Sequence, residues 1–158
     1  MKRRAHPYRD TQVIDGRAPR FLQTTVGIVA AVGAATGAWW LFAILAVQLA
    51  VGLTLGRRWC LPCVAYFELV QPRFGEGPLE DSRPPRFANL VGLAFLATAT
   101  AFGAGGLGTV ATVLGAMVAA LALLAAATGF CAGCRFYELS YRLRGREFIA
   151  CPLPPALD

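Results

Sequence analysis

Four of the five cysteines in this 158-residue chain stand in two Cys-x-x-Cys pairs, Cys60/Cys63 and Cys131/Cys134. In each case an aromatic, Trp59 or Phe130, precedes the pair, and an aromatic pair with Glu-Leu comes after it (Tyr66-Phe67-Glu68-Leu69 and Phe136-Tyr137-Glu138-Leu139). Two thiols at this spacing can close a small disulfide, and nearby cations or a helix N-terminus favour the thiolate. Arg57 and Arg58 precede the first pair and Arg135 follows the second. Pro62 suits the first turn of a helix, which would set Cys60 at that helix's positive end. One chemistry these residues support is disulfide exchange or sulfur transfer, with all four cysteines as candidates. A quinone bound nearby would be a possible electron acceptor, although no motif marks one. A second is a metal site, since four thiolates form the ligand set of many structural zinc sites and of iron–sulfur clusters. The 67 residues between the pairs exceed the usual zinc-ribbon spacing. In a third reading the cysteines pack as small hydrophobes in a membrane scaffold or neutral-solute transporter.

The elements that must position them are apolar. Hydrophobic residues make up 56% of the chain and charged ones 15%, against roughly a quarter charged in an average globular protein. No Asp, Glu, Lys or Arg occurs in 21–56 or in 87–134. Uncharged apolar runs of this length read as membrane spans. Each is too long for one span: 36 residues of helix would reach about 54 Å, against a hydrocarbon core of about 30 Å. The small residues Gly33 to Gly37, just before Trp39-Trp40, mark one turn, and Gly103 to Gly108 the other. The expected fold is an all-α membrane protein with four transmembrane helices, near 21–36, 39–56, 86–102 and 108–130. Residues 1–20 read as a polar N-terminal tail, 21–146 as the membrane domain and 147–158 as a C-terminal tail. Val64–Gln71 and Arg135–Arg146 read as short amphipathic pieces at the interface, and Pro72–Pro85 as a surface loop.

All 15 Lys and Arg fall in the first tail, the central loop or the last tail. The positive-inside rule places all three in the cytoplasm, making a multi-pass protein with both termini inside. In that reducing compartment a stable structural disulfide is not expected, so a redox role would be a cycling one. The same flanking positions argue against a nucleic-acid surface, which needs basic residues clustered on a folded polar face. The basic start lies too far from the apolar run for a signal peptide, and no lipidation motif occurs. The absence of charge inside the spans argues against a proton-coupled pump.

The two halves match. Pro19-Arg20-Phe21-Leu22-Gln23 corresponds to Pro85-Arg86-Phe87-Ala88-Asn89 at a shift of 66, and Cys60/Cys63 to Cys131/Cys134 at a shift of 71. The repeats run over about 19–71 and 85–144, each an apolar hairpin followed by a cysteine pair. Halves with an even number of spans share one orientation, related by an axis along the membrane normal. Such an axis could bring four sulfurs and the matched amides Gln23 and Asn89 into one layer. Gly33-x-x-x-Gly37 and Gly52-x-x-x-Gly56 suit close helix packing within the bundle or in a homo-oligomer. Gln48 is expected to hydrogen-bond between helices, with a place along a substrate path as the alternative. His6 is expected to be solvated, and Cys151 to be a spare tail thiol or a resolving one.

At Gln71-Pro72-Arg73-Phe74-Gly75, Pro84-Pro85-Arg86-Phe87 and Phe130-Cys131-Ala132-Gly133-Cys134 the chain resembles a family of small bacterial membrane proteins, common in actinobacteria. The family is known as domain of unknown function four-three-nine-five. The resemblance covers roughly Pro19 to Leu143 and implies a four-helix domain in the bacterial inner membrane, with no settled activity. Thioredoxin-like and sulfurtransferase proteins near some relatives suggest such a partner. Family members carry a Ser-Pro-Tyr-Gly-like stretch where this chain has Cys60-Leu61-Pro62-Cys63, so the resemblance gives Cys131 and Cys134 precedence.

Overall fold

The computed structural model describes residues 5–145. The 147–158 tail, Cys151 and the basic start Lys2-Arg3-Arg4 lie outside the described residues. The chain is mostly helical, with the order β1 (Val13–Asp15), α1 (Arg17–Thr36), α2 (Trp39–Thr54), α3 (Leu61–Ala65), α4 (Gln71–Phe74), β2 (Leu79–Asp81), α5 (Arg83–Ala104), α6 (Gly108–Thr128) and α7 (Ala132–Leu143). A 3-10 turn at Arg57–Trp59 precedes α3, and a π-turn at Tyr66–Val70 joins α3 to α4.

The long helices follow the apolar runs and stop where the backbone must reverse. Gly37 takes a left-handed conformation (φ 71°) that lets its N–H bond back to the Gly33 carbonyl. That geometry is open to glycine at no steric cost. α1 packs on α6, α2 on α5, α5 on α6 and α1 on α2, which closes a four-membered ring of helices. Phe42, 1% exposed, fills the centre of one end. A Cβ on Gly33 or Gly115 would collide with its ring, so these glycines let two backbones approach it. Two helices, α5 and α6, are long and apolar enough to cross a membrane, and α2 is a shorter apolar helix. Only 17% and 28% of their apolar windows are buried inside the molecule, unlike the core helices of a soluble protein. Ile28, Val32, Ile44, Val47 and Val113 point outward.

Two expectations need correction. The segment read as a polar tail up to residue 20 is folded from Ala5 onward. Ala5 and Val13 are buried, and α1 begins at Arg17. The Pro72–Pro85 stretch read as a surface loop contains most of α4, all of β2 and the first turn of α5. Both regions fold because β1 and β2 pair antiparallel, Val13 opposite Asp81, Ile14 opposite Glu80 and Asp15 opposite Leu79. The ladder continues through Gly16 N–H to the Pro78 carbonyl (2.8 Å) and Ser82 N–H to the Gln12 carbonyl (2.9 Å). A three-residue strand is too short to leave an alternating pattern in sequence.

This ribbon is symmetric about its centre. At the shift of 66, Ile14 corresponds to the Glu80 it faces, and the Gly16–Pro78 bond corresponds to the Ser82–Gln12 bond. Asp15 accepts from the Arg17 N–H at 3.0 Å and Asp81 from the Arg83 N–H at 2.8 Å, so each strand ends by opening its helix in the same way.

Candidate functional site

The two cysteine pairs sit at matched places but in different states. Cys60 and Cys63 pair as a disulfide with Cα atoms 5.2 Å apart, and both belong to the buried core. Cys131 and Cys134 are free and half-buried. Among the described residues, no three of His, Cys, Asp or Glu converge where they could hold a metal ion. The four sulfurs therefore do not gather into one ligand set.

The environment of Cys131 is that of an activated thiol. Gly129, left-handed at φ 75°, ends α6 with its N–H on the Ala125 carbonyl, and the chain turns into α7 with Cys131 as its N-cap. The Cys131 sulfur accepts from the Cys134 N–H at 3.4 Å. Hydrogen bonds from the Cys134 thiol, from the Cys134 and Gly133 N–H groups and from the Gln23 side chain hold the Cys131 thiol down to about 6, outweighing burial, which pushes it up. Cys134 moves the opposite way. Its bond to Cys131, its burial and the negative charges of Cys131, Glu138 and Glu80 keep its proton on. One thiolate beside one retained thiol is the division of labour that disulfide exchange needs.

The expected cationic support lies elsewhere. Arg57 donates to the carbonyls of Pro7, Asp10 and Thr11, and burial followed by the charge of Arg86 lowers it to about 10. Arg58 is exposed. Arg135 pairs with Glu138 at 3.2 Å. Hydrogen bonds, not cations, set the state of Cys131. His6 forms a local turn, its Nδ1 accepting from the N–H groups of Tyr8 and Arg9.

Cys131 and Cys134 open onto a cleft of about 530 Å³ whose rim includes Arg20, Glu80, Asp81, Arg135 and Glu138. The guanidinium of Arg20 lies against Gly129, where a Cβ would strike it, at the negative end of the α6 dipole. Arg86 does the same at the end of α2, donating to the Leu53 carbonyl at 3.3 Å. A second cleft, about 200 Å³, holds Cys60 and Cys63 with Arg86, Asn89, Pro85 and Ser82. Those four are the counterparts of Arg20, Gln23, Pro19 and Gly16 in the first cleft. In each cleft the cysteines come from one half of the chain, and the arginine and amide from the other. Both amides also line a cavity of about 120 Å³ between the helices, where Cys131 joins them but Cys60 does not.

The family's sequence profile, described as domain of unknown function (DUF4395), matches residues 14–142. The chain belongs to this family. No curated protein and no solved structure matches it.

Sequence reading missed the residues that set the two cysteine pairs of this DUF4395 chain apart. Asp15, 2% exposed, accepts from the Tyr66 hydroxyl (2.9 Å), the Gln71 amide (3.1 Å) and the Gly77 N–H (3.0 Å). Burial, then the bond to Asp15, pushes Tyr66 well above its ordinary value. Tyr8 adds a bond to Glu68 at 2.8 Å and an edge contact with Phe67. Arg20 and Arg86 were within reach as the repeated arginine of Pro-Arg-Phe.

Proposed function

We propose that the protein is a four-helix membrane domain, built from two duplicated hairpins, that carries a cytoplasm-facing dithiol at Cys131 and Cys134. This dithiol exchanges electrons or sulfur with a thioredoxin-like or sulfurtransferase partner. The hydrogen-bonded, half-exposed Cys131 at the start of α7 is the observation that carries the reading. Duplication is supported by the ribbon centred on Ile14 and Glu80 and by the matching clefts. The equivalent stacking of Phe21 on Tyr66 and Phe87 on Tyr137, at centroid distances of 5.8 and 5.5 Å, adds to this. Four spans are supported by the outward apolar faces of α1 and α2, and the orientation by the confinement of every Lys and Arg to sequence positions outside the two apolar runs.

In exchange, the Cys131 thiolate attacks one sulfur of the partner's disulfide, forming a mixed disulfide and releasing the other partner sulfur as a thiolate. Cys134 then gives its proton to that thiolate and attacks Cys131. The Cys131–Cys134 disulfide forms, the mixed bond breaks, and a second partner thiol leaves after taking a proton from water. Two electrons pass to the partner. In sulfur transfer the same thiolate attacks the outer sulfur of a partner persulfide; the partner's S–S bond breaks, its inner sulfur leaves as a thiolate, and Cys131 becomes the persulfide.

The test is alkylation of purified protein across pH, followed by peptide mass. Cys131 should react over a range centred on about pH 6, whereas an ordinary thiol titrates near about 8.5. Cys131→Ser should abolish the fast reaction, and Cys134→Ser should trap a mixed disulfide with a thioredoxin-like protein. An added mass of one sulfur on Cys131 after exposure to a persulfide donor would assign transfer in place of exchange. An ordinary profile at Cys131 would overturn the reading, and stoichiometric zinc with alkylation-resistant thiols would replace it by a metal site. Cys131 should label with an impermeant maleimide only once the membrane is opened; labelling of intact cells would reverse the topology.

A further inference from the structure

The exchange site does not use the first cysteine pair, nor the cavity that runs from it into the helix bundle. That cavity is bounded by apolar side chains, among them Leu22, Leu49 and Leu53, with Cys60 and Cys63 in its wall. Two amides face it, Asn89 and Gln48. The expected interhelical bond from Gln48 is not made: its Nε2 is buried and has no hydrogen-bond partner among the described residues. A buried donor left without an acceptor is costly, about 1–3 kcal/mol, which marks a place where an acceptor belongs. Gln48 also sits close below the disulfide. Gly52, one helical turn further along α2, faces Cys60, and a Cβ there would lie 3.3 Å from the Cys60 Cβ. Residues four apart share a helix face about one turn, some 5–6 Å, apart.

The second half lacks this feature. Counting back from the cysteines, the position matching Gln48 is Ala119, which brings no donor to the Cys131 side. The inner end of the first cavity therefore offers neutral amide donors, greasy walls and a cysteine pair close enough to form a disulfide. The cations at its mouth, Arg57 and Arg86, are already engaged with backbone carbonyls. A ligand matched to these groups is neutral, apolar-bodied and carbonyl-bearing, and it exchanges electrons in pairs with a dithiol.

We infer that this cavity binds a quinone, with a ring carbonyl accepting from Gln48 Nε2 and the ring beside Cys60 and Cys63. In the reaction both S–H bonds of the reduced pair break and the Cys60–Cys63 bond forms. The two electrons and two protons reduce the quinone to its hydroquinone. The site depends on the bilayer placement proposed above but not on exchange at Cys131.

The test uses full-length protein carrying C131S, C134S and C151S, reduced, freed of reductant and held in lipid nanodiscs without oxygen. A decyl-chain benzoquinone is added. The expected result is one hydroquinone per protein, seen by absorbance, with a loss of two hydrogens from the peptide containing Cys60 and Cys63. Gln48→Leu should slow the reaction about tenfold at subsaturating quinone, the worth of one hydrogen bond. No hydroquinone, a covalent quinone adduct in place of the disulfide, or an unchanged rate in Q48L would each overturn the inference. Because Q48L could disturb folding, binding is measured separately on the oxidised protein. Quinone should raise the melting temperature of the parent and of Gln48→Asn more than that of Q48L, and equal shifts in all three would also overturn it. With Cys131 and Cys134 absent, failure here leaves the exchange reading untouched, and failure of alkylation at Cys131 leaves this one untouched.

Discussion

The two cysteine pairs start from the same design and end in opposite conditions. Each stands after a long helix, opens a short one, and faces an amide and an arginine supplied by the other half. Cys60 and Cys63 are buried at 3% and 8% exposure and joined, whereas Cys131 and Cys134 are half-exposed and free. The difference lies in the segment on the C-terminal side of each pair. After Cys63 the chain passes through a π-turn, with Tyr66 and Phe67 buried, and the folded N-terminal segment lies over it. After Cys134 the chain continues as α7, which has no buried residue. The π-turn sits where the match between the halves slips from 71 to 70, because the first half has one residue more between Cys63 and Glu68 than the second has between Cys134 and Glu138. A single inserted residue is what a π-bulge accommodates. One cover and one extra residue thus go with the buried, joined pair, and their absence with the free, part-exposed one.

The largest expected effect on this contrast comes from Asp15→Asn. Asp15 accepts four hydrogen bonds, from Arg17, Tyr66, Gln71 and Gly77. An amide replaces one acceptor oxygen with an NH2 that meets donors. Leaving buried donors unpaired should destabilise the cover by about 3 kcal/mol. Dithiothreitol should then reduce Cys60–Cys63 at least about a hundredfold faster, if reduction requires opening of the cover. An unchanged reduction rate would show that the N-terminal segment is not what protects the pair.

Next is Gln23→Leu, which removes one of the hydrogen bonds holding the Cys131 thiolate. The midpoint of Cys131 alkylation should rise from about 6 by about one unit, the equivalent of about 1.4 kcal/mol. The folded-state value of Cys131 lies below the ordinary thiol value of about 8.5. Its contribution to stability is therefore fully present above about pH 8.5 and fades as pH falls through about 6. In Q23L the contribution should be smaller, and its loss complete at a higher pH. If Asn89→Leu moved the Cys131 midpoint as far, the assignment of one amide to each pair would fail.

The parts of this molecule legible in sequence were those that depend on local pattern. The apolar runs placed the four long helices with ends within four residues of those observed. The small-residue stretches placed both hairpin turns, and the repeated Pro-Arg-Phe and Cys-x-x-Cys put matched residues at matched positions. Illegible were the contacts that join distant polar residues. Asp15 meets Tyr66 across 51 positions and Gln71 across 56, and nothing in Val13-Ile14-Asp15 marks it as a strand. The cause of Cys131 activation was also hidden. Arg135 adjoins the pair in sequence but turns to Glu138, while Gln23, over a hundred residues away on α1, which packs on α6, helps to lower the thiol.

Tyr8→Phe gives the smallest expected effect and discriminates most finely between the parts of the cover. It deletes the hydroxyl that donates to Glu68 at 2.8 Å and keeps the ring that meets Phe67 edge-on at 6.0 Å. The lost bond lies at an exposed site, where water replaces the missing partner, so the cost should be no more than about 1 kcal/mol. Reduction of Cys60–Cys63 should quicken by less than about fivefold, a factor set by that same energy. Tyr8→Ala, which also removes the ring, should quicken it further. If Y8F alone matched Asp15→Asn, the cover would be held by its exposed edge and not by the buried carboxylate. The contrast between the two pairs would then rest on a single surface bond instead of on the fold of the N-terminal segment.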